Sequence, residues 1–183
     1  MAITVQMREQ VSQLYVALFG RAPDGEGLGY WVGQLDAGKT MVDVANTMYA
    51  TAPARVLYPS FLTNQEIIGN FYTNVLGRTA DAEGLAFWTA KLNAAGATTG
   101  SVIAEMINIV ANYSGTDTAG LASQALFNNK VAVAQWYGEQ NGNIAGANTV
   151  LTAVTSDPAS VAAAKTGGGV PSGQTFTLTK SVQ

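Results

Sequence analysis

A duplication constrains this chain more than any other feature of it. The stretch Val11-Ser-Gln-Leu-Tyr-Val-Ala-Leu-Phe-Gly-Arg21 continues as Ala-Pro-Asp-Gly-Glu-Gly-Leu-Gly-Tyr-Trp31. Farther on, Ile68-Gly-Asn-Phe-Tyr-Thr-Asn-Val-Leu-Gly-Arg78 continues as Thr-Ala-Asp-Ala-Glu-Gly-Leu-Ala-Phe-Trp88. A constant offset of 57 residues carries Tyr15 to Tyr72, Gly20 to Gly77, Asp24 to Asp81, Gly27 to Gly84, Trp31 to Trp88 and Leu35 to Leu92. So many matches in one register mark a repeated structural unit, and such units stack on one another to bury a common core.

The unit is helical by its periodicity. Val11, Leu14, Tyr15, Leu18 and Phe19 follow the i, i+3, i+4, i+7, i+8 spacing of one apolar helix face, and Ile68, Phe71, Tyr72, Val75 and Leu76 repeat it. Leu28, Trp31, Val32 and Leu35 form a second stripe, matched by Leu85, Trp88 and Leu92. Met41, Val44, Ala45 and Met48 form a third, echoed after a one-residue insertion by Val102, Ile103 and Met106. Glycines at 20, 77, 38 and 96 fall just past stripes, where a left-handed residue closes a helix. Asp24, Asp81, Thr40 and Thr98 stand where N-caps are needed, and Glu26 and Glu83 follow in the first turn, at the positive end of the helix dipole.

The expected fold is therefore all-α. It is a compact multi-helix bundle built from two tandem three-helix repeats, about 8–52 and 65–112, with further helices over 118–165. Leu121–Gly138 reads as one longer helix, apolar on much of its circumference and hence packed between others, with two short helices near 147–155 and 158–165. Residues 166–173, rich in glycine, read as a linker, and the alternation over 174–183 reads as a lone β-strand. That strand has no partner within the chain, which points to a β-rich region continuing past residue 183.

Composition narrows the chemistry. The 183 residues are 48% hydrophobic, enough for a packed core, but only 11% charged, against about a quarter in an ordinary soluble domain. A net charge of −3 offers little attraction to phosphate backbones, so nucleic acid is not an expected partner. With no Cys and no His, thiol catalysis, disulfides, His-based triads and common zinc sites are excluded. No apolar run reaches the roughly 18 residues that span a bilayer, and the N-terminus lacks a Sec-type signal layout.

Asp24, Glu26, Asp81 and Glu83 form the recurring carboxylate cluster, readable as calcium ligands or as helix caps paired with Arg21 and Arg78. Two carboxylates per turn fall short of the six to eight oxygens calcium takes, which favours capping. Nor do acids within a single turn flank a bond from opposite sides, as glycoside hydrolysis requires. No enzyme is expected. Aromatics beside neutral polar groups, by contrast, suit a sugar, whose C–H face stacks on a ring while amides bind its hydroxyls. Trp136, Tyr137, Asn128, Asn129 and Gln135 supply that mixture, with Tyr30 at the edge of the second stripe. The competing reading makes Trp136 a core anchor.

The pattern Tyr-x-x-x-Phe/Leu-Gly-Arg-x-x-Asp-x-x-Gly-Leu-x-Tyr/Phe-Trp, carried from Tyr15 to Trp31 and again from Tyr72 to Trp88, resembles a tandem helical domain of unknown function (family 4214). That domain is found in bacterial surface-layer and calcium-dependent RTX-type secreted proteins. The resemblance spans roughly residues 8–112. It implies a cell-surface, non-enzymatic anchoring domain over 1–165, like the N-terminal region of a Gram-negative S-layer protein. Such a region binds the O-antigen polysaccharide of lipopolysaccharide on the outer membrane. The resemblance further implies that this is the N-terminal part of a longer protein exported by type I secretion, with calcium taken up in a missing C-terminal region and no cofactor in this domain. Neighbouring S-layer subunits are the other implied partner. The alternative is a structural lattice or adhesin interaction module without glycan binding.

Overall fold

In the computed structural model, which describes residues 3–168, each predicted stripe lies on a helix. The first repeat supplies α1 (Val5–Leu14), prolonged by a π-helical turn over Tyr15–Phe19, then α2 (Gly25–Asp36) and α3 (Met41–Tyr49). The second supplies α4 (Asn64–Val75), α5 (Ala82–Asn93) and α6 (Thr99–Ala111). There follow α7 (Thr118–Glu139), α8 (Ile144–Ala147) and α9 (Ala159–Ala163), the last running into a π-helical turn over Ala164–Gly168. A 3-10 turn, Ala52–Arg55, lies between the repeats. Among the described residues all regular structure is helical.

Two expectations need correction. Residues 148–153 are turns rather than a helix, and the helix before them, α8, is only a single turn. Residues 166–168, read from sequence as linker, belong to the final π-helical turn. The rest of that stretch and the β-strand expected over 174–183 lie outside the described residues.

Local chemistry explains the helix ends. Asp24 and Asp81 accept the amides of Gly27 and Gly84 at 3.4 and 2.7 Å. Thr40 and Asp43 form a reciprocal capping box, as do Thr63 with Glu66 and Thr98 with Ser101. Gly20, Gly38, Gly77 and Gly96 all have positive φ, from 65° to 99°.

The repeated motif is an interlocking cluster. The Arg21 guanidinium lies over the rings of Tyr15 and Phe19, at 5.2 and 5.7 Å, and 4.0 Å from Asp24. The Tyr15 hydroxyl is pressed against the first turn of α2, where a Cβ on Gly27 would stand 2.3 Å from its oxygen. Burial pushes that hydroxyl's pKa up to about 12, partly opposed by Arg21. Tyr72, Arg78 and Gly84 repeat the arrangement in the second unit.

The repeats join through α3 and α6. Their backbones meet where the Gly100 amide donates to Asn46 Oδ1 at 3.0 Å, and a side chain at Gly100 would collide with Asn46. The π-helical turn is the centre of the bundle. All five of its residues are buried, including Val16 and Ala17, which lie off the α-helical stripe. The 3-10 turn, α4 and α7 pack on it, and the buried Tyr58 donates its hydroxyl to the Ala17 carbonyl at 2.7 Å. Helix α7, about 33 Å long at 1.5 Å per residue, packs against α1, α2, α6 and α9, so it is sandwiched between other helices as expected.

Candidate functional site

One groove gathers polar side chains from helices far apart in sequence. It has a volume of about 560 Å³ and lies among α1, α3, α6 and α7. Gln6, Gln10 and Gln13 face it from α1, Asn108 and Asn112 from α6, and Asn128 and Gln135 from α7. Met41, Ile107 and Val131 give it an apolar floor. Glu9 is its one charged lining residue.

The hydrogen bonds divide these amides into fixed and available groups. Asn128 Nδ2 donates to the Ala111 carbonyl at 3.2 Å, Asn112 Nδ2 to the Asn108 carbonyl at 2.9 Å, and Gln135 Nε2 to Glu139 Oε1 at 2.8 Å. Glu139 is held in turn by Arg8 Nε at 2.8 Å. These bonds orient the α6 and α7 wall and leave the amide oxygens of Asn128 and Gln135 as acceptors. On α1, Gln6, Gln10 and Gln13 make no side-chain hydrogen bond among the described residues. Each amide carries two donors and an acceptor oxygen with two lone pairs, so the wall presents both halves of the pairing a hydroxyl needs. With a single carboxylate, the lining offers hydrogen bonding and not a pair of acids.

The residues expected from sequence are distributed differently. Asn128 and Gln135 are in the groove. Asn129 is not; its Nδ2 donates to the Thr155 carbonyl at 2.9 Å. Tyr137 is fully buried and donates to the Asn143 carbonyl at 2.9 Å, so it belongs to the core and cannot present a ring to a ligand. Burial raises its pKa. Trp136 is half-buried against the core and does not line the groove. Tyr30 is exposed on α2, with its ring edge-on to Trp31 at 4.9 Å, also away from the groove. Among the described residues no aromatic side chain lines the groove.

Sequence reasoning missed Gln6, Gln10 and Gln13. Their spacing of four and three residues places them on one face of α1. A run of amides on a helix face in so charge-poor a chain was the available signal.

Of the carboxylates of the repeated turns, Asp24 and Asp81 act as caps, and Glu26 and Glu83 stand in the first turns of α2 and α5. Asp24 and Asp81 are occupied as described, and no three Asp, Glu, Cys or His side chains among the described residues converge as a metal cage requires. Among the described residues no helix is long and apolar enough to cross a membrane.

A family model described as "Domain of unknown function (DUF4214)" matches the chain twice, over residues 3–54 and 45–108. The two matches correspond to the two three-helix repeats. No curated protein and no solved structure matches the chain.

Proposed function

The chain belongs to the family of the domain of unknown function DUF4214, and on that premise we propose that it is a non-enzymatic polysaccharide-binding module. Its role is to anchor a secreted S-layer-type protein at the outer face of the outer membrane, through the O-antigen of lipopolysaccharide. The observation that carries this reading is the groove among α1, α3, α6 and α7, walled by neutral amides and floored by apolar side chains.

The chemistry supports a neutral or weakly charged glycan. A polyhydroxylated chain presents many donors and acceptors and little charge, and unsatisfied amides of both polarities complement it. Glu9, at the groove wall, repels polyanions. Weak binding at a single site is multiplied when many copies stand in an array.

The test is binding of the purified chain to lipopolysaccharide from the organism that makes it, beside lipopolysaccharide lacking O-antigen. Saturable binding to the first alone, weakened about tenfold or more by Gln10→Ala with Gln135→Ala, is expected. Equal binding to both, binding to neither, or unchanged affinity in the double variant would sink the reading.

A second reading, a lattice or adhesin contact without glycan, is favoured by two apolar side chains in the segment joining the repeats. Val56 and Phe61 are 77% and 84% exposed. It predicts concentration-dependent self-association that Phe61→Ser abolishes, measured by sedimentation velocity.

A further inference from the structure

The two copies of the motif treat their arginine differently. Arg21 is neutralised within its own turn: Nη1 donates to the Ala22 carbonyl at 3.0 Å and lies 4.0 Å from Asp24 Oδ1. The Arg78 side chain makes no hydrogen bond and no ion pair among the described residues, and its Nε is buried without a partner. Its one described contact is with the Tyr72 ring, 5.5 Å from the guanidinium carbon. A half-buried guanidinium in that state retains an unsatisfied donor, which is costly unless something supplies an acceptor.

Space for that acceptor adjoins it. A cavity of about 150 Å³ lies between α4, α5, α6 and the start of α7, lined by Phe71, Tyr72, Trp88, Ile109 and Tyr113 with Arg78 at its wall. A second, shallower cavity of about 420 Å³ meets it across Leu76, Arg78 and Ser123. Neither nearby carboxylate comes within ion-pair distance of Arg78: Asp81 caps α5 through Gly84 at 2.7 Å, and Asp117 caps α7 through Gly120 at 2.8 Å.

We infer that this aromatic cavity binds a six-membered ring bearing a carboxylate, with Arg78 as its counter-ion. The volume supports the ring, since an engineered apolar cavity of about 150 Å³ accommodates benzene. Aromatic walls take either an aromatic ring or the C–H face of a sugar. A guanidinium held over the Tyr72 ring with no hydrogen bond of its own retains its N–H fork for two parallel bonds to one carboxylate. This site is separate from the amide groove and does not depend on the reading of that groove.

The experiment is a titration of the isotope-labelled full chain followed by NMR, reading the Trp88 indole and Arg78 side-chain signals. The probes are benzoate and D-glucuronate, which separate aromatic acids from acidic sugars, each beside its neutral counterpart, benzamide or D-glucose. Saturable shifts are expected with at least one carboxylate, about tenfold or more weaker with its neutral counterpart. Arg78→Gln removes the binding, whereas Arg21→Gln leaves it intact. Ile109→Trp, which enlarges a half-exposed wall residue, blocks the cavity without touching Arg78 and keeps the test valid if Arg78→Gln unfolds. Failure of both carboxylates to bind, equal binding of the neutral counterparts, or full affinity in the folded Arg78 or Ile109 variant overturns the proposal.

Discussion

Substituting alanine for glycine along α2 should reverse the sign of its effect within a single turn. At Gly29 and Gly33 an added Cβ would meet nothing within 4 Å. Alanine there gains helix propensity, up to about 1 kcal/mol at each position. At Gly27 the Cβ would stand 2.3 Å from the Tyr15 hydroxyl oxygen and 2.8 Å from Asp24 Oδ1. Neither group has room to retreat. Tyr15 is 2% exposed and edge-packed on Phe19 at 5.0 Å, and Asp24 caps the helix through the Gly27 amide itself. Overpacking a buried site costs about 1–3 kcal/mol and a spoiled N-cap about 1 kcal/mol. Against a propensity gain of at most about 1 kcal/mol, the net loss is about 2 kcal/mol.

For a chain of this size each kcal/mol moves the melting temperature by about 2–4 °C. Gly27→Ala should therefore melt about 4–8 °C lower, and Gly29→Ala about 2–4 °C higher. Circular dichroism melts with matched urea titrations measure both. The second repeat supplies a graded control, because at Gly84 the same distances are 2.8 and 3.2 Å. Gly84→Ala should destabilise less than Gly27→Ala. If Gly27→Ala proves as stable as Gly29→Ala, the motif tyrosine does not lock the turn, and the structural reading of the repeated signature is wrong.

Removing the Tyr58 hydroxyl with Tyr58→Phe strips the Ala17 carbonyl of its buried donor and should cost about 1–3 kcal/mol in urea unfolding; no loss would mean another donor takes its place. Trp136→Ala should destabilise the half-buried helix contact by about 2 kcal/mol yet leave polysaccharide affinity unchanged, since the side chain lies off the groove; a folded variant that loses binding would relocate the site. Alkaline unfolding should be steep. Burial raises the pKa of Tyr15, Tyr58, Tyr72 and Tyr137, so above pH 10 the unfolded chain releases protons that the folded chain retains, and stability falls as pH rises. Tyr15 alone, ionising at about 12 when folded, accounts for a loss of about 2 kcal/mol by that pH. Absorbance of all seven tyrosinates appearing at the ordinary pKa while the chain remains folded would contradict this.

Features set by neighbours in the chain were legible before any coordinates. Asp24, Thr40, Asp81 and Thr98 cap helices because a short oxygen-bearing side chain three residues ahead of an amide has that geometry wherever the helix goes. The glycine closures at 20, 38, 77 and 96 are equally local. The π-helical turn at Tyr15–Phe19 was not legible, because apolar spacing marks one face and that segment is covered on every side. The same blindness to packing put Tyr137 in a binding site: an aromatic between Trp136 and Gly138 looks alike whether it faces sugar or core. Asn128 and Gln135, singled out from sequence, line the groove, but the Gln6, Gln10 and Gln13 that face them come from the opposite end of the chain, and only the fold brings them together.

The duplication explains the fold better than it explains the sites, and the reason lies in what is present once. Helix α7, the loop after it and α8 close over the first repeat. There the Ala22 amide donates to the Ala147 carbonyl at 3.1 Å and the Gly25 amide to the Gly142 carbonyl at 2.9 Å. Gly138 abuts Leu28 and Pro23 so closely that a Cβ would collide. On the equivalent turn of the second repeat α7 sets Leu126 against Gly77, where a Cβ would stand 2.7 Å from it, and donates the Ser123 hydroxyl to the Leu76 carbonyl at 3.3 Å, with no backbone bond to that turn among the described residues. So the same motif yields a paired Arg21 and an Arg78 side chain without a hydrogen bond. Equivalent helices diverge in the same way: Gln10 of α1 faces the groove, while Ile67, its counterpart on α4, is buried. A repeated sequence specifies the same helices twice. What those helices can bind is decided by how the unrepeated helix covers each copy.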